Sequence, residues 1–461
     1  MQQLSGLDAS FLYVETPTLH MHTIKVAVVD PRGAPGGYAF ERVRASLLRR
    51  LDRLPPFRRR LVRAPFGLGH PYWIEDPDFE LNHHLGRRRA PHPGGRQELC
   101  QVVGEIAGRP LDRSRPLWEL TVVEGLQGGR IAFVAKLHHC IADGMRALEL
   151  LMAALGVGEV DELPAPWRPE RPPQRSSLLR SSLRSGAARL RSLPGLLLRT
   201  LRGVLAVLAL LWRRPPRSLP HAPPRTSFNV ALGRRRTFAV VDLPMQELRE
   251  LKRRNQVTLN DVVLCLCAEA LRDYLAERGE LPHRSLVAGI PTSTRGRGLH
   301  APGANHVGHL MAPLHTEVAD PLLRLQRIHQ SLCEAKARSR AFGEEMLERW
   351  AEFMPPRPTS LLLRAWSRLG LSNRTPPPIN LVASNVPGPA QPLSVDGAHL
   401  EALYSVGPIL EGIGLNLTAW SYAGRLQVAA LGCPESLPEP WKLVRHLPEA
   451  LARMKRESLA A

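Results

Sequence analysis

The clearest strand in the chain is "MHTIKVAVVD" at 21–30, where alternation gives way to an unbroken apolar run, as in a strand passing into a core. A helix at 38–53 and a basic turn "LPPFRRRLV" follow, then a short strand "YWIED" and a helix at 96–108. The strands "LWELTVVEGL" and "RIAFVAKLHHC" come next. After Gly144, the positions Met145, Leu148, Leu151, Met152 and Leu155 fall on one helical face.

The same alternation of element types resumes after 226. A strand "RTFAVVDLP", a helix at 244–254 and a longer helix opened by Thr258 precede the strand "SLVAGIPTSTR". A helix near 320–338, the strand "INLVASNVPGP" and a hairpin turning at Tyr422-Ala423-Gly424 lead to a closing helix. Strands interleaved with helices in both halves predict two α/β lobes with mixed sheets flanked by helices. The stretch between them is different: from 171 to 229 there are twelve arginines and no Asp or Glu, and proline clusters mark both ends. The predicted organisation is a first lobe at 1–165, an Arg/Pro-rich connection at 166–225 and a second lobe at 226–461.

Inside the connection, Leu179, Leu183, Ala187, Leu190 and Pro194 recur near helical spacing with arginines between them, and 203–212 carries no charge. That run is about half the ~20 residues needed to cross a bilayer, so the pattern predicts a cationic amphipathic segment lying in a membrane interface. A solvated linker whose apolar run packs on its own protein fits the same pattern. Overall composition is that of a soluble globular protein, 44% hydrophobic and 23% charged, but the net charge of +20 points to an anionic partner. Nucleic acid is not the expected one, because the basic stretch holds only Trp212 and Phe228 as stacking aromatics. Six cysteines without regular spacing predict no disulfide framework, and Cys265-x-Cys267 sits in a helical pattern without a second ligand pair, so no metal is expected. The N-terminal residues show no secretory pattern, and with the unpatterned cysteines a cytoplasmic setting is expected.

Candidate chemistry sits in "AKLHHCIADGMRALELL", 135–151. On a strand, Phe133, Ala135, Leu137 and His139 share one face while Lys136 and His138 share the other, so the two imidazoles point apart. One is placed for work and the other for support. A neutral imidazole can take the proton of a hydroxyl as it attacks an activated carbonyl. Asp143 reads either as the N-cap of the following helix or as the partner of an arginine, with Gly144 allowing a tight backbone passage. His83-His84 shows how little a bare histidine pair means. No G-x-S-x-G elbow, H-E-x-x-H or phosphate-binding G-x-x-x-x-G-K offers a rival chemistry.

His138-His139-Cys140-Ile141-Ala142-Asp143-Gly144 matches the H-H-x-x-x-D-G signature of the coenzyme-A-dependent acyltransferases, which include chloramphenicol acetyltransferase and condensation domains. Over nearly its whole length the chain resembles the bacterial wax ester synthase/acyl-CoA:diacylglycerol acyltransferases. The likeness rests on "LSGLDASFLYVETPTLHMH", Pro116-Leu117-Trp118-Glu119, "PAPWRP", "TLNDVVL", "IPTSTR", "SNVPGP" and "GLNLTAWSYAGRL". It implies a two-lobed chloramphenicol-acetyltransferase-like fold and catalysis in a channel between the lobes without a covalent enzyme intermediate. It assigns His139 as general base and makes Asp143 structural; His139, His138 and Asp143 together are the candidate catalytic residues. The implied reaction moves a long acyl chain from acyl-CoA, a co-substrate rather than a bound cofactor, to diacylglycerol or a fatty alcohol; the alternatives are transfer to another alcohol or amine acceptor, or a non-catalytic lipid-binding scaffold. The implied setting is peripheral contact with the inner membrane or lipid inclusions. Gly144, Asn260 and Asp261 are the candidate substrate-binding residues, although Thr258-x-x-Asp261 also fits a capping box. Arg295 is the expected partner of Asp143, and Pro116-Leu117-Trp118 is expected to pack. Two departures from the family pattern are Ala304-Asn305, in place of Gly-Asn, and Arg146, where small residues are common.

Overall fold

A computed structural model describes residues 1–157, 169–213, 222–293 and 307–460. Two six-stranded mixed sheets organise the described chain, with a small three-stranded sheet beside them. At the centre of the first, His22–Asp30 and Ile131–His138 run antiparallel with His22 opposite His138. Trp118–Glu124 and Leu85–Arg89 extend that sheet on one side. On the other side it is completed by Ala398–Val406 and Ser394–Val395, which come from the second half of the chain. The boundary expected at 226 therefore does not divide the sheets: 394–406 adds to the edge that His22–Asp30 would otherwise leave unpaired. The second sheet runs Val307–Pro313, Val287–Ser293, Leu381–Val386, Leu415–Tyr422, Arg425–Gly432, Thr237–Pro244. Its hairpin turns through Ala423 and Gly424, both at positive φ.

Burial ties the halves together. Trp420 and Tyr422 of the second sheet lie in the same apolar cluster as Phe133 and Leu137 of the first. Gln427 accepts the backbone N–H of Leu403 at 2.7 Å, and Tyr422 donates to the Leu400 carbonyl at 2.8 Å. Both faces of Ile131–His138 are covered, so the strand is apolar on both sides.

The basic segment expected as a turn instead forms the short helix Pro55–Arg58 and the strand Arg59–Val62, which pairs with Tyr72–Glu75. The connection is one helix, Arg175–Arg213, 39 residues long. At 1.5 Å per residue it reaches roughly 58 Å, longer than the apolar run suggested, because the flanking arginines continue the same helix. By length and composition it could cross a membrane. Both of its halves are nevertheless fastened to the lobes. Ser182 meets the Tyr72 hydroxyl at 3.2 Å and Ser185 donates to Gln3 at 2.8 Å. Further along, Trp350 Nε1 donates to Thr200 at 3.1 Å, and Gly203 lies so close to the Phe342 carbonyl that no Cβ would fit. The helix lies along the molecule with its other face outward.

Candidate active site

The motif strand ends at His138, and the next residues turn sharply: Ile141 N–H donates to the His138 carbonyl at 2.9 Å and His139 N–H to the Met21 carbonyl at 2.7 Å. His138 points into a buried polar cluster. Its Nδ1 accepts the Cys140 N–H at 3.1 Å, and its Nε2 lies 3.2 Å from Glu15 Oε1. Glu15 also receives the Met21 N–H at 3.0 Å and Arg113 Nε at 3.0 Å. Burial by itself would raise the Glu15 pKa, but His138, Arg113 and His22 outweigh it and hold the carboxyl well below its usual range. His138 is thus an anchored support that fixes the turn carrying its neighbour.

His139 takes the opposite direction, as strand alternation requires. Its ring packs 4.4 Å from the Phe11 ring and lines a cavity of about 540 Å3 at the junction of the lobes. Burial pushes its pKa down to about 4, reinforced by His138 and Lys25 and opposed by Asp143. At pH 7 the imidazole is therefore neutral. Across from it the second lobe contributes Ser384, Asn385, Asn416 and Thr418. A neutral imidazole facing hydroxyl and amide groups across a lobe junction suits proton transfer to and from a bound hydroxyl.

Asp143 caps the helix Gly144–Ala154, accepting the Arg146 N–H at 2.8 Å, and its charge acts on Lys25. Lys25 sits fully buried on His22–Asp30, donates to the Ser405 hydroxyl, lies 5.0 Å from the Trp420 ring centroid and feels the Asp143 charge. Burial draws its pKa down to about 7, with Asp143 pulling the other way. The cap reading of Asp143 holds. Arg295, the partner expected for it, lies outside the described residues, as do Ala304-Asn305 and 164–168 of "PAPWRP". Gly144 lines the cavity but needs no special backbone: its φ is not positive, and a Cβ there would make ordinary contact with Lys25 Nζ. The tight passage expected at this glycine is not required; instead, hydrogen in place of a side chain keeps the cavity wall open.

Asn260 and Asp261 lie apart from the cavity lining. Asp261 closes the capping box, exchanging hydrogen bonds with Thr258 at 2.8 and 3.2 Å, and receives His329 Nδ1 at 2.6 Å. Its carboxylate is fully engaged at the start of the helix Leu259–Glu277. Trp118 packs as expected, donating to the Phe57 carbonyl at 2.7 Å and stacking on Phe57 and His84. His84 is thereby accounted for. Cys265 and Cys267 are buried core residues. Sequence reasoning passed over Lys25 and Glu15. The available signal was a charge embedded in an apolar pattern, a lysine inside "TIKVAVV" and a glutamate after "FLYV".

The wax ester synthase/diacylglycerol acyltransferase catalytic domain matches residues 4–263, and the WS/DGAT C-terminal domain matches 303–455. The chain belongs to this family. Among its curated relatives, a Mycobacterium tuberculosis protein bearing the name of a diacylglycerol O-acyltransferase is 36% identical over 98% of this chain and 90% of its own length. A Mycobacterium bovis protein with the same name is 34% identical over 97% and 98%. The solved wax ester synthase/diacylglycerol acyltransferase from Marinobacter aquaeolei is 28% identical, with a TM-score of 0.69 over 99% of this chain and 100% of its own. The first condensation domain of the calcium-dependent antibiotic synthetase, at 14% identity and TM-score 0.59 over 99% and 96%, shares the fold. As a family member with this fold, the chain is an acyltransferase of the two-lobed, chloramphenicol-acetyltransferase-like type.

Proposed function

We propose that this wax ester synthase/diacylglycerol acyltransferase family member transfers a long acyl group from acyl-CoA to the hydroxyl of diacylglycerol, a long-chain alcohol, or both. The observation that carries the reading is His139, neutral at pH 7 and facing the cavity between the lobes. His139 accepts the hydroxyl proton as the oxygen attacks the thioester carbonyl. Collapse of the tetrahedral intermediate breaks the carbon–sulfur bond, and the imidazolium returns the proton to the departing thiolate. The thioester brings its own activation, so acyl-CoA serves as co-substrate and the reading needs no resident cofactor or metal. The helix cap holds Asp143, and Glu15 holds His138, so that the turn carrying His139 keeps its place.

The lipid acceptor and the charge of +20 together support work at an anionic membrane or lipid-inclusion surface on the cytoplasmic side, with no role for nucleic acid. The outward face of Arg175–Arg213 supports contact in the plane of that surface, since the helix is fastened to the lobes along both halves. The test is thin-layer detection of labelled neutral lipid made from long-chain acyl-CoA with diacylglycerol or a C16 alcohol. His139→Ala is expected to lower product formation at least ~100-fold while the circular dichroism spectrum is kept. An unimpaired His139→Ala would place the base elsewhere. A wild-type protein that turns over neither acceptor would overturn the reading.

A further inference from the structure

Many of the exposed apolar residues lie on three neighbouring elements. The connecting helix turns Leu183, Leu190, Leu197, Leu201, Leu205 and Leu208 to solvent and ends with Trp212, 87% exposed. The helix Pro356–Arg368 exposes Leu361 and Leu362, each 67%, between Arg357, Arg364 and Arg368. Between these two helices runs the short segment Pro65–Gly67, whose Phe66 is 73% exposed. The three are contiguous: the Arg189 guanidinium of the connecting helix lies against Gly69, and the Arg357 side chain lies over Gly67. A patch of this extent on a monomer marks an interaction surface.

In the middle of the patch is a cavity of about 350 Å3 with an apolar floor that includes Leu12 and Leu61 and a rim of Arg63, Arg113, Arg357 and Arg364. Arg113 is paired with Glu15. Among the described residues no carboxylate pairs with Arg63, Arg357 or Arg364, although guanidiniums gathered at one opening repel one another. We infer that this arginine-rimmed cavity binds the phosphate headgroup of an anionic phospholipid and seats the exposed apolar helices in the bilayer. The chemistry is that of phosphate and guanidinium, with the apolar floor taking the start of the acyl chains. The position also serves the reaction. The cavity is walled by Leu12 and Tyr13 of the helix Gly6–Tyr13, and Ser10 and Phe11 of that same helix line the His139 cavity. A bilayer seated here lies one helix away from the catalytic histidine.

This inference rests on the reading that the protein works at a lipid surface, but not on its chemistry, so a binding assay tests it without turnover. The full chain is sedimented with vesicles of phosphatidylcholine alone and of phosphatidylcholine with about one third phosphatidylglycerol. Wild type is expected to bind the anionic vesicles at least tenfold more tightly and to lose that margin at high salt, a readout needing no variant. Arg357→Ala with Arg364→Ala is expected to weaken anionic-vesicle binding roughly 30-fold, at about fivefold per arginine, whereas Arg357→Lys with Arg364→Lys keeps most of it. Equal binding to both vesicles, or a double alanine variant that binds like wild type, overturns the headgroup site and leaves membrane contact standing. Absence of binding to either vesicle overturns both. Coenzyme A titrated by calorimetry separates the other source of phosphate: if the double alanine variant loses coenzyme A but keeps the vesicles, the cavity belongs to the acyl donor and the inference falls.

Discussion

His139 owes its chemistry to where its ring is held rather than to its residue type. Placed among cavity walls that disfavour the charged form, it has a pKa of about 4 and remains a base well below neutrality. The sign follows directly: only the unprotonated ring accepts a proton, so kcat/KM is expected to stay level from about pH 8 to about pH 5 and to fall only as pH approaches 4. An acid limb centred near the ordinary histidine value, measured on a soluble acceptor, would contradict this. Lys25 is the second residue whose setting decides its role. Replacing it with Met removes the buried hydrogen bond from the amine to the Ser405 hydroxyl, which costs on the order of 1–3 kcal/mol. A urea midpoint for Lys25→Met equal to that of wild type would show that this buried hydrogen bond does not contribute to stability.

Among the elements, the helix Leu259–Glu277 shows how a conspicuous motif can be absorbed by local structure. Thr258 and Asp261 satisfy each other's backbone groups, and Asp261 also holds His329. Thr258→Ala is therefore expected to cost about 1 kcal/mol of stability in chemical denaturation and to leave KM for both substrates unchanged. A raised KM with full stability would return this motif to the substrate. The connecting helix makes the complementary point. Its inner stripe of Leu178, Ser182, Leu196 and Gly203 is buried against the lobes, while most of its larger apolar residues face outward. Helices are normally amphipathic toward their own core; this one is apolar away from it as well, in keeping with the lipid contact proposed above.

At the scale of the whole molecule, the lobes are not independent. The first sheet takes Ser394–Val395 and Ala398–Val406 from the second half of the chain, and the first apolar core takes Trp420 and Tyr422. A fragment ending at residue 157 would expose the edge of His22–Asp30 and a core without those side chains. Produced alone, it is expected to be aggregated or insoluble in size-exclusion chromatography, while the full chain is monodisperse. A monodisperse, cooperatively melting fragment would show that the first lobe is self-sufficient.

Much of this architecture was legible in the residues themselves. The strand and helix patterns, the hairpin at Tyr422-Ala423-Gly424, the cap at Thr258 and the opposed directions of His138 and His139 all follow from backbone periodicity and side-chain chemistry over a few neighbouring positions. The family likeness was equally local, carried by contiguous motifs. What depended on residues far apart in sequence was not legible. That Lys25 feels the charge of Asp143, that Glu15 anchors His138, and that 394–406 crosses into the first sheet are pairings between segments up to several hundred residues apart. Sequence order carries no distance information across such separations, and burial decides them only once both partners are in place. The sequence thus determined which elements form and which residues can do chemistry; the tertiary structure decided which charges meet, which histidine faces the cavity and which apolar face of the connecting helix is left outside, because those depend on what each side chain packs against.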